Sequence, residues 1–224
     1  MSIHDYIYAF VSSFIALFPV MNPIGGGFII NGFLEGLDDM QRKIYVKKII
    51  ANCILTGIGS LLAGHLILLL FGLAIPVIQL GGGIIICKTG LEWLSDSESG
   101  KTDKTRSAMD KIISDDIEKK LFYPISFPVS LGPGSMSVIF TLMASAVVKG
   151  NFLSTGLNYA LIALAIISLL GILYIFLLQG TRIMKKLGRS GNMALNKLIA
   201  FITFCIGIQI IVTGISKIFH LQIV

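Results

Sequence analysis

Two short stretches of this chain carry residues able to hold a small polar solute. Asn22-Pro23-Ile24-Gly25-Gly26-Gly27 follows Phe18-Pro19-Val20, and Ser130-Leu131-Gly132-Pro133-Gly134-Ser135 follows Phe127-Pro128-Val129, each inside an apolar run. Proline and glycine at that depth interrupt a helix, and lipid cannot satisfy the backbone groups that are freed. The half-helix after such a break offers N–H groups and the positive end of its dipole, and the half before it ends in carbonyl oxygens. A zwitterion needs both ends close together, and two opposed breaks supply that pair twice. In the first stretch Gly25, Gly26 and Gly27 let a carboxylate approach the backbone, while Asn22 beside Pro23 adds an amide. In the second, the hydroxyls of Ser130 and Ser135 flank Gly132, Pro133 and Gly134. These ten residues form the candidate substrate-binding set. For the triplet Gly81-Gly82-Gly83 the plainer reading, close helix packing, is preferred.

The elements that position these stretches are membrane spans. Of 224 residues, 54% are hydrophobic and 13% charged, against about 25% charged in soluble domains. Apolar runs near residues 5–34, 49–72, 76–94, 121–148, 155–179 and 195–219 each reach the roughly 20 residues that cross a bilayer as helix. The first run is too long and too interrupted for a signal peptide and is expected to be retained. If all six cross, one side collects 16 of the 18 basic residues and the other holds Lys149 and Lys217. The excess of Lys and Arg on cytoplasmic loops then puts both termini outside and the basic loops, including 182–197, inside. A rival in which both broken runs re-enter on one side divides the charges 13 to 5. The net charge of +6 therefore reports orientation in the membrane and no nucleic-acid partner.

The broken signature recurs after 109 residues, and a second pair recurs after 124: Gly83 with Thr89-Gly90, and Gly207 with Thr213-Gly214. The expected fold is all-α, with six transmembrane helices as two three-helix repeats, the first helix of each broken near the midplane. An odd number of spans per repeat makes the repeats inverted, with a site between them. The whole chain, 1–224, reads as one membrane domain: repeat one at about 1–94, a polar cytoplasmic linker at 95–120, and repeat two at about 121–224. Ser107 with Asp110 suggests a short capped surface helix within the linker, though a simple tether fits equally.

Other chemistry is excluded or weakened. Cys53, Cys87 and Cys205 lie in apolar spans without metal or disulfide spacing and read as packing residues. No Asp or Glu falls within a membrane interior, which removes a carboxylate proton relay. His65, inside a span, reads as hydrogen-bonded to a neighbouring helix, and Asn52, Gln79 and Gln209 likewise. Gly188-Arg189-Ser190-Gly191 superficially matches a serine-hydrolase motif, but it sits in a basic loop, and no His-Glu-x-x-His occurs. Neither enzyme activity nor a cofactor nor a metal is expected. Coupling to a cation held by freed carbonyls and hydroxyls, or uncoupled movement, stays open.

Phe-Pro-Val-Met-Asn-Pro at 18–23, Phe-Pro-Val-Ser-Leu-Gly-Pro-Gly at 127–134, Gly81 to Leu94, and Cys205-Ile206-Gly207-Ile208-Gln209 with Thr213-Gly214-Ile215 together resemble the MarC family of prokaryotic membrane proteins. The first break of that family often reads Asp-Pro-x-Gly-Asn, and Asn22 stands here where that carboxylate would be. Some members are grouped with transporters of small neutral amino acids. The resemblance therefore implies a multi-pass protein of a prokaryotic plasma (inner) membrane whose partners are the bilayer and a small-molecule substrate. A noncatalytic membrane partner or assembly protein is the alternative.

Overall fold

A computed structural model of the chain describes residues 3–34, 36–95, 121–148 and 150–219. These residues form helices α1 (Ile3–Met21), α2 (Gly25–Phe33), α3 (Asp39–Leu70), α4 (Ile75–Ser95), α5 (Leu121–Ser130), α6 (Pro133–Ser145) and α7 (Phe152–Phe219). No strand occurs among them. Five helical stretches are long and apolar enough to cross a membrane: His4–Met21, Asp39–Leu70, Ile75–Ser95, Phe152–Gln179 and Lys197–Phe219. The run expected at 121–148 is divided into α5 and α6, so neither part meets that length. The linker beyond Ser95, with the surface helix proposed from Ser107, lies outside the described residues.

Local chemistry explains both interruptions. Asn22 precedes Pro23, and a residue before proline is driven out of the right-handed helical region. It takes φ +41°, a conformation asparagine tolerates better than most side chains. α5 has Pro124 and Pro128, and the residue before each, Tyr123 (φ −118°, ψ 125°) and Phe127 (φ −127°, ψ 124°), is extended. Missing N–H groups and these extended residues widen the segment into a π-like winding. Its hydroxyls follow the same wider step, Ser126 Oγ donating to Leu121 O at 2.6 Å and Ser130 Oγ to Ile125 O at 3.0 Å.

The interhelical contacts fix directions. Gly57 faces Leu131 and Gly64 faces Phe140, so α3 runs parallel to α6, whereas Gly82 against Ser137 and Ile86 against Gly134 make α4 antiparallel to it. α3 meets the first span of α7 head to tail, Arg42 at Leu177 and Gly57 at Ile166. α4 meets the second span head to tail, Lys197 Nζ donating to Leu94 O while Gly214 faces Pro76. The two spans of α7 therefore run in opposite directions, and the chain reverses between Gln179 and Lys197. Residues 182–197, expected as a loop, keep a helical backbone through this reversal.

Buried Leu17, Ile30, Ile49, Ile125, Ile139 and Leu169 form the centre of the bundle. His65 and Gln209, expected to bond neighbouring helices, are instead exposed. Each lies beside or two positions from the glycine that makes its helix's contact, Gly64 and Gly207, and so points to the outer face. Gln79 is buried against Gly214, with Oε1 unpartnered.

The seam between α4 and the second span of α7 is built on glycine. A Cβ at Gly83 would lie 2.9 Å from Gly207 O, and one at Gly207 3.0 Å from Gly83 O. Gly90 approaches the Phe204 backbone N to 2.7 Å on the same basis, and Gly214 approaches Leu80 Cγ to 3.2 Å. An offset of 124 carries Leu80 onto Phe204 and Gly90 onto Gly214, so each contact is the image of the other. The paired motifs pack on one another. Of the triplet, Gly82 and Gly83 are packing residues, whereas a Cβ at Gly81 would meet nothing within 4 Å.

Gly90→Ala is expected to lower stability by about 1–3 kcal/mol, because its new neighbour is backbone that cannot rotate away. Gly171→Ala, where nothing lies within 4 Å, should leave stability unchanged or slightly raised. Thermal unfolding of both variants in detergent checks the pair, and an unaffected Gly90→Ala would refute the seam.

Candidate functional site

At the first break Asn22 is buried and serves both flanking helices. Its N–H donates to Phe18 O at 2.9 Å, its carbonyl accepts from Gly26 N at 2.9 Å, and its Oδ1 accepts from Gly25 N at 2.9 Å. Phe28 N donates to Ile24 O at 3.0 Å. The first turn of α2 is thus largely satisfied by the break itself, leaving fewer free amides than the bare sequence suggests. Asn22 Nδ2 is different: it is buried and has no partner. A Cβ at Gly25 would overlap that amide, so glycine is what permits the Asn22 side chain to fold back over α2. Gly27 gives its space to the Phe176 ring, which stands edge-on to Phe28 at 5.0 Å between centroids.

At the second break Gly132 caps α6 without a side-chain bond, and Pro133 occupies its first turn, where a missing N–H costs little. Met136 N returns to Gly132 O at 3.1 Å, while the amides of Gly134 and Ser135 find no acceptor among the described residues. Ser130 and Ser135 are buried and spend their hydroxyls on Ile125 O and, at 3.3 Å, on Val20 O. Pro133 is exposed, whereas Asn22, Pro23, Gly25, Gly26, Gly27 and Gly134 are buried.

The two breaks meet. Ser135 Oγ bonds Val20 O across them, and a Cβ at Gly26 would lie 3.5 Å from Val129 O. An offset of 109 carries Val20 onto Val129 and Gly26 onto Ser135, so this pair of contacts is also its own image. The part before each break lies against the part after the other. Their junction brings together Gly26, Gly134 and Ser135, with Asn22 two residues beyond Val20, while Gly27 faces α7 and Ser130 turns its hydroxyl back along α5. Three donors lack acceptors among the described residues on the two breaks: Asn22 Nδ2 on the first and the amides of Gly134 and Ser135 on the second. Donors of this kind suit an acceptor oxygen, and a carboxylate above all.

Charge counting assigned Arg42 to a cytoplasmic surface, yet it is buried, with 8% of its surface exposed. Its Nε and Nη2 donate to Leu177 O at 3.0 and 2.7 Å, Nη1 approaches Leu34 O at 3.5 Å, and Nη2 bonds Asn31 Oδ1. It joins the first turns of α3 to the end of α2 and to α7, next to Phe176. A signal was present: Arg42, Val46, Ile49 and Cys53 fall on one helical stripe, all four buried. Thr203, also unremarked in the sequence, donates to Pro19 O at 3.3 Å and ties α1 to α7. Among the described residues no group of His, Cys, Asp and Glu is placed to hold a metal ion.

The family described as MarC family integral membrane protein matches residues 7–219. A UPF0056 membrane protein of Methanocaldococcus jannaschii is 26% identical over 206 residues, covering 92% of this chain and 95% of that one. A UPF0056 membrane protein of Pyrococcus abyssi is 27% identical over 220 residues, covering 96% and 98%. The UPF0056 inner membrane protein MarC of Salmonella typhimurium is 23% identical over 207 residues, covering 91% and 92%. No solved structure is significantly similar.

Arg42→Met should cost about 3 kcal/mol or more, because it strands three buried acceptors, two at the end of α2 and one on α7. Arg42→Lys should recover only part, since a single ammonium cannot span a guanidinium's forked donors. The midpoint of thermal unfolding in detergent reads both, and a fully stable Arg42→Met would show that these bonds hold little.

Proposed function

The chain belongs to the MarC family of integral membrane proteins, and on that footing we propose that it is a secondary transporter of small polar or zwitterionic metabolites, small neutral amino acids first among them. One observation carries the reading. Where the two helix breaks meet, the first carries a buried amide donor without an acceptor, Asn22 Nδ2, and the second begins α6 with amides at Gly134 and Ser135 that find no acceptor among the described residues. A buried polar group without a partner costs about 1–3 kcal/mol, and a site that exchanges solute for water repays that cost whenever the solute is bound. The carboxylate of an amino acid supplies the acceptor, and the positive end of the α6 dipole favours its charge.

In this reading six crossings form two inverted three-helix repeats, and motion of one against the other alternates access to the junction. The reciprocal contacts of Val20 with Ser135 and Gly26 with Val129 support that relation. Both termini lie outside, and the basic connections lie in the cytoplasm, as the distribution of Lys and Arg favours. The Salmonella relatives are named inner membrane proteins, which supports the plasma membrane of a prokaryote as the location.

Reconstituted in proteoliposomes, the purified protein should carry a neutral amino acid saturably. Asn22→Gly keeps the backbone free to adopt φ +41° while removing the donor, and should cut flux at least tenfold with the protein still folded by thermal unfolding. Flux that Asn22→Gly leaves untouched would sink the role of the amide, and no flux for a broad neutral amino-acid panel would sink the substrate class.

A further inference from the structure

Three helices of the bundle end on a side chain that reaches their last carbonyls, and two of those side chains are cations. At the end of α2 the Arg42 guanidinium bonds Asn31 Oδ1 and approaches Leu34 O at 3.5 Å, and at the end of α4 Lys197 Nζ donates to Leu94 O. Each sets a positive charge where helix carbonyls point outward. α6, the second half of its break as α2 is of the first, receives a neutral group instead: Asn158 Nδ2 donates to Ala146 O, on its capping residue, at 3.0 Å. The oxygen of that amide is left over. Asn158 has 8% of its surface exposed, and its Oδ1 is buried without a donor. The Ala146 amide folds back on Leu142 O and Met143 O, and among the described residues no donor reaches Ala144 O or Ser145 O.

We propose that the end of α6 binds a monovalent alkali cation through Asn158 Oδ1 and the free carbonyls of the last turn. The place is the one that Arg42 fills on α2, with the charge supplied from solution rather than by the chain. Hard cations take oxygen ligands. The unpartnered groups at this end are all acceptors, and the negative end of the α6 dipole lies behind them, so a cation is favoured and an anion repelled. None of these oxygens belongs to Asp or Glu, and a neutral set suits a single charge better than the two of calcium, whose sites draw on carboxylates. Ser145 is exposed, which gives an ion a way in, whereas Asn158 Oδ1 is shut off from solvent. An acceptor buried in that state is costly unless something held beside it serves as its partner. The inference stands apart from the transport reading, and its test needs no solute.

Thermal unfolding of the purified full-length protein in detergent provides that test, with sodium chloride exchanged for choline chloride at one ionic strength, since choline is too large for such a shell. Sodium at about 300 mM should raise the midpoint by about 3 °C or more over choline, with a saturable dependence on concentration. Asn158→Leu keeps the bulk and removes the oxygen, and should erase the shift. Asn158→Asp puts a charge at the same position, and should lower the half-saturating sodium concentration at least tenfold. Equal midpoints in sodium and choline would overturn the inference whether or not either variant folds, and so would a sodium shift that Asn158→Leu retains. Lys149, three positions after Ala146, lies outside the described residues, and Lys149→Gln asks whether the chain supplies its own cation. The sodium shift should be the same in that variant as in the unchanged protein. A shift that emerges only once Lys149 is replaced would overturn the binding of a dissolved ion.

Discussion

Backbone groups released at two interrupted helices must find partners inside the protein, because hydrocarbon offers none. That requirement brings the interrupted segments together. Asn22 answers most of it at the first break by taking a left-handed conformation, accepting from Gly25 and Gly26 and donating to Phe18. Val20 and Ser135 answer part of it across the junction. Once the breaks touch, α1 lies on α6 and α2 on α5, and the long helices α3, α4 and α7 close around them. α2 shows how local this dependence is. It has nine residues, too few to hold as an isolated helix, and is secured at its start by Asn22 and at its end by Arg42, a cation placed where helix carbonyls point outward.

Helices gain no hydrophobic advantage by leaving lipid for one another, so their association rests on close packing. The seam of α4 with the second span of α7 meets that condition by facing Gly83 with Gly207 and repeating the same approach at Gly90 and Gly214. One rule of reciprocity therefore governs both the seam and the breaks, with offsets of 124 and 109. Their difference of 15 residues falls outside the breaks and seam themselves. Thr203 bonds Pro19 O at 3.3 Å, linking the seam helix to the first broken one.

Much of this was legible because proline and glycine report backbone geometry directly. The breaks at 22–24 and 131–132 follow from residues whose conformational limits are strict, whereas the recurring Thr-Gly motifs showed only a spacing and not that they pack on one another. Less legible were features set by distant partners. Arg42 is one of four basic residues between 42 and 48, and its acceptor Leu177 lies 135 positions away, so charge counting put it in solvent. His65 has the polarity of an interhelical residue, but the orientation of its helix is fixed by Gly64, one position away, against Phe140 and Met143. The helical backbone between Gln179 and Lys197 was hidden for another reason: a basic, glycine-containing stretch between apolar runs looks like a loop whether or not its amides pair with one another.

The two breaks are alike in sequence and unlike in use. Around the first, Gly25 yields its space to the Asn22 amide and Gly27 to Phe176, and Arg42 fastens the end of α2 to the residue after that phenylalanine. Around the second, the Gly134 and Ser135 amides of α6 find no acceptor among the described residues, and Pro133 is exposed beside an open crevice. Had this likeness of sequence alone determined conformation, both ends would be equally closed or equally open. The difference lies in the neighbours: the first span of α7 covers α2, while α3 and α4 part over α6.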